Sequence, residues 1–197
     1  MGQIGLFGGS FDPPHCAHAE LINSCLNSAY CDEIWVLPSR VSPFKQGREV
    51  TAYEHRYEMA RRAFGNMPRV FISDVERHLP PPSYTLKTLE HLQQQFPGHS
   101  WRLCIGSDNL ASFERWYGYS DILRIAELLV ALRPGYDSRR ETEEISPEIL
   151  KHTHFVEHEP RRLSSTHMRK MLHNKQPARS LPPAVRAYIN EKNLYQA

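Results

Sequence analysis

The chain has 197 residues, of which 40% are hydrophobic and 23% charged, and these values suit one globular domain. Its formal net charge of +2 is too small to indicate a nucleic-acid partner. The sequence shows no apolar run of membrane-spanning length and no segment resembling a signal peptide. Its four cysteines form neither a C-x-x-C pair nor a zinc-binding pattern, so we expect reduced thiols in a cytoplasmic protein.

Six short apolar segments are predicted as strands, and several are almost continuously apolar, as in strands covered on both faces. They are residues 4–7, 34–37, 70–75, 101–105, 128–132 and 155–156. Amphipathic segments between them are predicted as helices, with apolar faces that include Ile22, Ala60 and Leu89. Strand–helix alternation predicts an α/β fold with a doubly wound parallel sheet.

The remaining segments are predicted as loops or as a helical C-terminal part. Loops are expected at 38–51 and 136–146, and the chain from Ser164 onward is expected to be helical, with Pro182 and Pro183 opening the last helix. We therefore expect a single domain over residues 1–197, with 164–197 as its C-terminal helical part.

The string GGSFDPPHCAH, at residues 8–18 and called here the first motif, follows the first predicted strand. It matches neither the dinucleotide fingerprint nor the Walker loop. His15 and His18 are spaced to lie on one side of the first turn of the next helix, where its dipole favours a phosphate. The alternative is an ordinary strand–turn–helix connection with polar surface histidines.

The first motif resembles the signature of the nucleotidyltransferase superfamily that carries an H-x-G-H motif. The string LSSTHMR, at residues 163–169 and called here the second motif, is similar to that superfamily's I-S-S-T-x-I-R signature. Segments 77–89, 106–123 and 181–195 resemble the bacterial nicotinate-mononucleotide adenylyltransferases in particular. The resemblance covers nearly the whole chain and implies a Rossmann-like nucleotidyltransferase fold, although Ala17 stands where the family has glycine.

This resemblance implies transfer of AMP from ATP to nicotinate mononucleotide, giving the dinucleotide and pyrophosphate in NAD biosynthesis, with Mg²⁺ accompanying ATP. The acceptor is a phosphate monoester, which is largely dianionic at neutral pH and needs no general base. Positioning and electrostatic stabilisation are then expected to supply the rate.

The resemblance also implies roles for individual residues. His15, His18 and Arg169 are expected to be catalytic, and Thr85, Asp108 and Trp116 to bind the acceptor. No metal site made of protein side chains is expected. ATP binding is assigned to Gly8, Gly9, Ser10, Phe11, Lys45, Ser164, Ser165 and Thr166.

Several alternatives stay open on the sequence alone. Ser164 could serve only as a helix cap, Trp116 as a core aromatic and Lys45 as a solvated loop lysine. The acceptor could be nicotinamide mononucleotide or phosphopantetheine, and the chain could be a nucleotide sensor that lost turnover through Ala17. The sequence does not decide between a monomer and a homo-oligomer, or whether the loop at 38–51 closes over substrate.

Overall fold

The computed structural model describes residues 2–43, 50–132, 145–158 and 163–196. Within these ranges six strands form one sheet in the order β3-β2-β1-β4-β5-β6, and every neighbouring pair is parallel. The strands are β1 (Gln3–Gly9), β2 (Glu33–Pro38), β3 (Val70–Ile72), β4 (Ser100–Gly106), β5 (Ala126–Leu132) and β6 (Thr153–Glu157). The strand order reverses between β1 and β4, and ligands of such sheets bind beyond the carboxyl ends of the strands at that point.

Helices connect the strands and complete the C-terminal part. Those in the described ranges are α1 (Cys16–Asn27), α2 (Tyr53–Phe64), α3 (Val75–His78), α4 (Thr85–Gln95), α5 (Ser107–Leu110), α6 (Tyr119–Ile125), α7 (Pro147–Lys151), α8 (Ser165–His173) and α9 (Pro183–Glu191). A single 3-10 turn at Phe113–Arg115 joins α5 to α6. No helix among them is both long and apolar enough to cross a membrane.

Alternating strand side chains build a hydrophobic core on each face of the sheet. On one face Leu6 and Leu103 pack with Leu89 of α4 and Ile122 of α6. On the other face residues of α1 and α2 pack with Phe7, Ile34, Cys104 and Leu129. The predicted doubly wound parallel sheet is therefore confirmed.

The two C-terminal helices, α8 and α9, share a third core with α2. Met168 and Val185 are buried there against Met59, and all three side chains are at most 1% exposed. This packing carries the second motif, at the start of α8, towards the carboxyl edge of the sheet. Pro183 is the first residue of the last helix, as predicted.

The third predicted strand is too long in the sequence interpretation. It ends at Ile72, and Val75, which was included in it, begins α3. The Val75 backbone N–H donates to Oγ of Ser73, and the Ser73 N–H donates to the carbonyl of Val36, so the chain turns directly after the strand. Serine side chains that bind the backbone two residues on commonly begin such turns.

The four cysteines are free thiols, and three of them meet beneath β1. A side chain at Gly5 would approach Sγ of Cys104 to 2.9 Å and Sγ of Cys31 to 3.3 Å, and Cys25 belongs to the same core. Glycine at this position therefore leaves the volume that the thiols fill.

Candidate active site

A cavity of about 690 Å³ opens at the carboxyl edge of the sheet, and both faces of the sheet contribute to it. From the α1 side come Ala17, His18 and Leu21, and from the α4 side come Tyr84, Thr85 and Thr88. We call these two parts the α1 lobe and the α4 lobe. A volume of this size fits small-molecule ligands.

The two lobes meet above the ends of β1 and β4. A Cβ atom added at Gly8 or at Gly106 would meet no atom within 4 Å, so each glycine leaves open space at the end of its strand. Both glycines line the cavity. Ligand atoms can therefore approach the main chain closely where the lobes join.

His15 precedes α1 as its N-cap and is only 4% exposed, although it lines the cavity. Burial lowers its pKa to about 4. At neutral pH the ring is therefore uncharged, and His15 and His18 form a capping box at the start of α1.

His18 is the third residue of α1, and its ring lies against that of His15 with centroids 3.8 Å apart. The backbone N–H of His15 donates to Nδ1 of His18 at 3.1 Å. Since Nδ1 accepts this bond, the proton of the neutral ring lies on Nε2. The helix start thus sets the tautomer and orientation of His18, and the sequence prediction that both histidines lie together is confirmed.

Phe11 supports the first motif from inside the core. Its ring is 2% exposed and makes edge contacts with the rings of Phe7, His18 and Phe64. A side chain at Gly9 would meet the Phe11 ring at 3.0 Å, which explains the second glycine of the motif. Gly8, Gly9, Ser10 and Phe11 all line the cavity, but the aromatic side chain of Phe11 packs mainly against protein.

The second motif binds the first motif directly. Ser165 donates through Oγ to the carbonyl of Pro13 at 2.9 Å, and Arg169 donates to the carbonyl of Asp12 at 2.7 Å. Thr166 accepts a bond from the same guanidinium, and Ser164 caps α8 by accepting from the His167 N–H, as predicted. These four residues are not part of the cavity wall, and their described side-chain hydrogen bonds are with the first motif and with the start of α8.

The predicted acceptor residues come together in the α4 lobe. Thr85 is the first residue of α4, and Asp108 is an exposed residue of α5 just beyond β4. Trp116 lines the cavity and also packs against the core, with its ring 5.4 Å from that of Phe113. Its two sequence interpretations, as ring-stacking residue and as core aromatic, are therefore compatible.

Four further residues at this edge were missed by the sequence analysis or assigned elsewhere. Glu76 and Ser39 line the cavity, where Glu76 accepts from the hydroxyl of Thr88 and Oγ of Ser39 is buried without a partner among the described residues. His158 also lines the cavity and hydrogen-bonds Ser24. Arg56 is 2% exposed and binds the loops behind the cavity. None of the four belongs to a local motif, so only the fold reveals them.

One predicted ATP ligand cannot be placed. Lys45 lies outside the described residues, and so does most of the predicted loop at 136–146. Within the described ranges, no three His, Cys, Asp or Glu side chains come together in a group that could hold a metal ion.

Comparison with known proteins finds relatives over nearly the whole chain. The family described as cytidylyltransferase-like matches residues 6–171. The nicotinate-nucleotide adenylyltransferase of Bacillus subtilis is 33% identical over the full length of both chains. A probable enzyme of that name from Bacteroides thetaiotaomicron is 37% identical, covering 96% of this chain and 91% of that protein. The fold matches Plasmodium falciparum nicotinic acid mononucleotide adenylyltransferase in complex with NaAD, with a TM-score of 0.79, 22% identity and coverage of 99% and 98%.

Proposed function

Because the chain belongs to the cytidylyltransferase-like family and, within it, to the nicotinate-nucleotide adenylyltransferases, we propose that it transfers AMP from ATP to nicotinate mononucleotide. The observation that carries this function is the cavity with one lobe on each face of the sheet, joined above Gly8 and Gly106. Such a cavity suits two ligands that react where the lobes meet.

The reaction needs no protein nucleophile. An oxygen of the acceptor's phosphate attacks the α-phosphorus of ATP, a new P–O bond forms, and the bond from that phosphorus to the bridging oxygen breaks. Pyrophosphate leaves with the electron pair. Because the acceptor phosphate is already an anion near neutral pH, the protein's main tasks are to align the reactants and to stabilise charge on the leaving group.

We assign the α1 lobe to ATP. His18 donates through Nε2 to a phosphate oxygen, and the uncharged ring of His15 offers a second donor at the same helix start. Gly8, Gly9 and Ser10 bring the main chain close to the triphosphate, with Lys45 as an additional phosphate ligand. Ser165 and Arg169 stabilise the positions of Pro13 and Asp12. Together with the start of α8, where Ser164 and Thr166 lie, the Arg169 guanidinium extends the positive surface towards the β- and γ-phosphates.

We assign the α4 lobe to the acceptor. Trp116 stacks on the pyridine ring, Asp108 accepts from ribose hydroxyls, and Thr85 with the first amides of α4 binds the ring carboxylate. Charge-assisted hydrogen bonds to a carboxylate are stronger than bonds to a neutral amide. We therefore expect a higher kcat/KM for the acid acceptor than for nicotinamide mononucleotide.

Mg²⁺ is proposed to enter with ATP. It is a hard cation that prefers oxygen ligands, so phosphate oxygens and water suit it better than the two imidazoles. When bound, it neutralises charge on the departing pyrophosphate.

We also propose a cytoplasmic location, which agrees with the cysteine pattern. Light scattering on the purified chain will distinguish a monomer from a homo-oligomer.

The test is pyrophosphate release from ATP, with and without Mg²⁺, using nicotinate mononucleotide, nicotinamide mononucleotide and phosphopantetheine as separate acceptors. We expect turnover that requires Mg²⁺ and is fastest with the first acceptor. Binding of ATP without turnover on any acceptor would favour the sensor, and turnover with phosphopantetheine alone would reassign the acceptor.

A further inference from the structure

Arg56, in the first turns of α2, lies buried behind the cavity and binds only main-chain carbonyls in its described hydrogen bonds. Its Nη1 donates to Ser10 at 2.9 Å and to Ser39 at 2.7 Å, and its Nη2 donates to Arg40 at 3.1 Å. Its Nε donates to Thr51 at 2.7 Å. One guanidinium therefore holds segments that follow two different strands of the sheet.

Ser10 belongs to the phosphate loop of the first motif. Ser39 and Arg40 begin a segment that we call the strap, residues Ser39–Pro43, which leaves the end of β2 and lines the cavity through Ser39, Ser42 and Pro43. The strap is also tied to the phosphate loop by the Ser39 N–H, which donates to the carbonyl of Gly9 at 2.8 Å.

The other side of the strap is bound to the α4 lobe. The N–H groups of Arg40 and Val41 both donate to Oγ of Ser83, at 3.0 and 3.2 Å, and the Ser83 N–H donates back to the carbonyl of Val41 at 2.9 Å. Ser83 lies two residues before Thr85, which is assigned to the acceptor. The strap thus connects the guanidinium of Arg56 to the part of the cavity that holds the acceptor.

We propose that Arg56 is a positioning residue that sets the separation between bound ATP and bound acceptor by holding the phosphate loop and the strap on one rigid guanidinium. This inference rests on the proposed function, because it needs both substrates in the cavity. The planar guanidinium presents its donors in a fixed geometry, whereas a lysine ammonium at the same place keeps the charge and loses that geometry.

Loss of the Arg56 contacts is expected to disturb the alignment of the two substrates more than their binding. Each substrate still meets its own lobe when the strap shifts, so the KM values change little. The distance from the acceptor oxygen to the α-phosphorus changes, and a misplacement of about 1 Å costs roughly a hundredfold in rate. Arg56 therefore acts on kcat.

The experiment compares wild type, Arg56→Lys and the control Arg62→Lys in steady-state kinetics with ATP and nicotinate mononucleotide, well below each melting temperature. Arg62 lies on the same helix, pairs with Glu58 and stacks on Tyr188, so it carries a partly buried guanidinium away from the strap. We expect kcat of Arg56→Lys to fall by about 10- to 100-fold with KM values within about threefold. Arg62→Lys should keep the wild-type kcat.

Ser83→Ala provides a second variant, since it releases the strap from its other side and leaves Arg56 in place. We expect a smaller fall in kcat in the same direction, which keeps the inference testable if Arg56→Lys does not fold. A lowered melting temperature with unchanged kcat in Arg56→Lys would overturn the inference, and so would a rise in KM alone. Absence of turnover in the wild-type protein would instead count against the proposed function.

Discussion

At the scale of single residues, His18 combines a structural and a chemical task. Its Nδ1 accepts the His15 N–H at the helix start, and its side chain lines the cavity. We expect His18→Ala to lower kcat about a hundredfold or more while ATP still binds, because removal of one transition-state donor costs about 3 kcal/mol. Kinetics and calorimetric titration of ATP measure the two effects separately.

Two controls separate these tasks of His18. His18→Gln keeps a side-chain acceptor at the third helical position, where glutamine commonly completes a capping box, and it should retain stability while losing kcat. His173→Ala removes an exposed histidine of α8 and should change neither. A wild-type kcat in His18→Ala would assign this histidine to structure alone.

His15 makes stability depend on pH because its pKa is about 4 in the folded protein and 6.5 as the ordinary value. Between these values the unfolded chain binds a proton that the folded chain does not, so the free energy of unfolding falls as pH drops through the window. Above pH 6.5 His15 does not lower the free energy of unfolding. Near pH 4 the decrease that it causes reaches about 3 kcal/mol.

Urea unfolding at several pH values between 7 and 4 tests this prediction on wild type and His15→Phe. The variant lacks the titrating ring, and its stability should fall less steeply over the same window, with carboxyl titration common to both proteins. If the free energy of unfolding changed equally with pH in both proteins, burial would not lower the pKa of His15.

At the scale of elements, the start of α1 carries the departure from the family pattern. Ala17 is the second residue of α1, half-buried, and lines the cavity between the two histidines. Ala17→Gly should cost up to about 1 kcal/mol of helix propensity. We also expect a lower KM for ATP, because removal of the methyl group gives the nucleotide more room.

The measurement is KM for ATP together with the melting temperature of both proteins. A destabilised variant with unchanged KM would make Ala17 an ordinary helix residue. Loss of stability and a lower KM together would show that the methyl group crowds the nucleotide in the natural chain.

The start of α8 contributes through the first motif, since Arg169 donates to the carbonyl of Asp12. Arg169→Ala should raise KM for ATP and lower kcat, because the side chain stabilises the phosphate loop in the ground state and in the transition state alike. Lys170→Ala, at the exposed neighbouring position on α8, is the matched control and should leave both constants unchanged. Unchanged kinetics in Arg169→Ala would remove the second motif from the site.

At the scale of the whole molecule, a residue near the C-terminal end of the described chain is hydrogen-bonded to the first motif. Tyr195 donates to Oδ1 of Asp12 at 2.7 Å across 183 residues of sequence, and burial raises the pKa of its phenol. Tyr195→Phe leaves a buried carboxylate oxygen with one partner fewer, a change that costs about 1–3 kcal/mol. We expect the melting temperature to fall by several degrees and KM for ATP to rise.

Tyr30→Phe is the control, since Tyr30 is a more exposed tyrosine at 37%. Thermal unfolding with and without ATP compares the two variants. If Tyr195→Phe lowered stability no more than Tyr30→Phe, the C-terminal contact would contribute nothing measurable to the first motif.

The sequence by itself determined the sheet, its coverage by helices on both faces, and the place of the histidine pair. Those features depend on local patterns: apolar periodicity sets strands and helices, and a short spacing brings His15 and His18 to one helix start. The third strand was predicted too long because an apolar residue beyond a serine turn continued the pattern. The single-domain division stays a prediction.

Only the tertiary structure decided which distant groups meet at the site. Arg169 reaches Asp12 across 157 residues and Ser165 reaches Pro13 across 152, while Arg56 binds the carbonyls of Ser10 and Ser39. In each case the acceptor is a main-chain carbonyl, and the fold alone determines which distant side chain comes close enough to donate to it. Sequence spacing carries no information about such pairs. In the sequence Arg56 is therefore like any other helical arginine, and only its hydrogen bonds to the strap distinguish it.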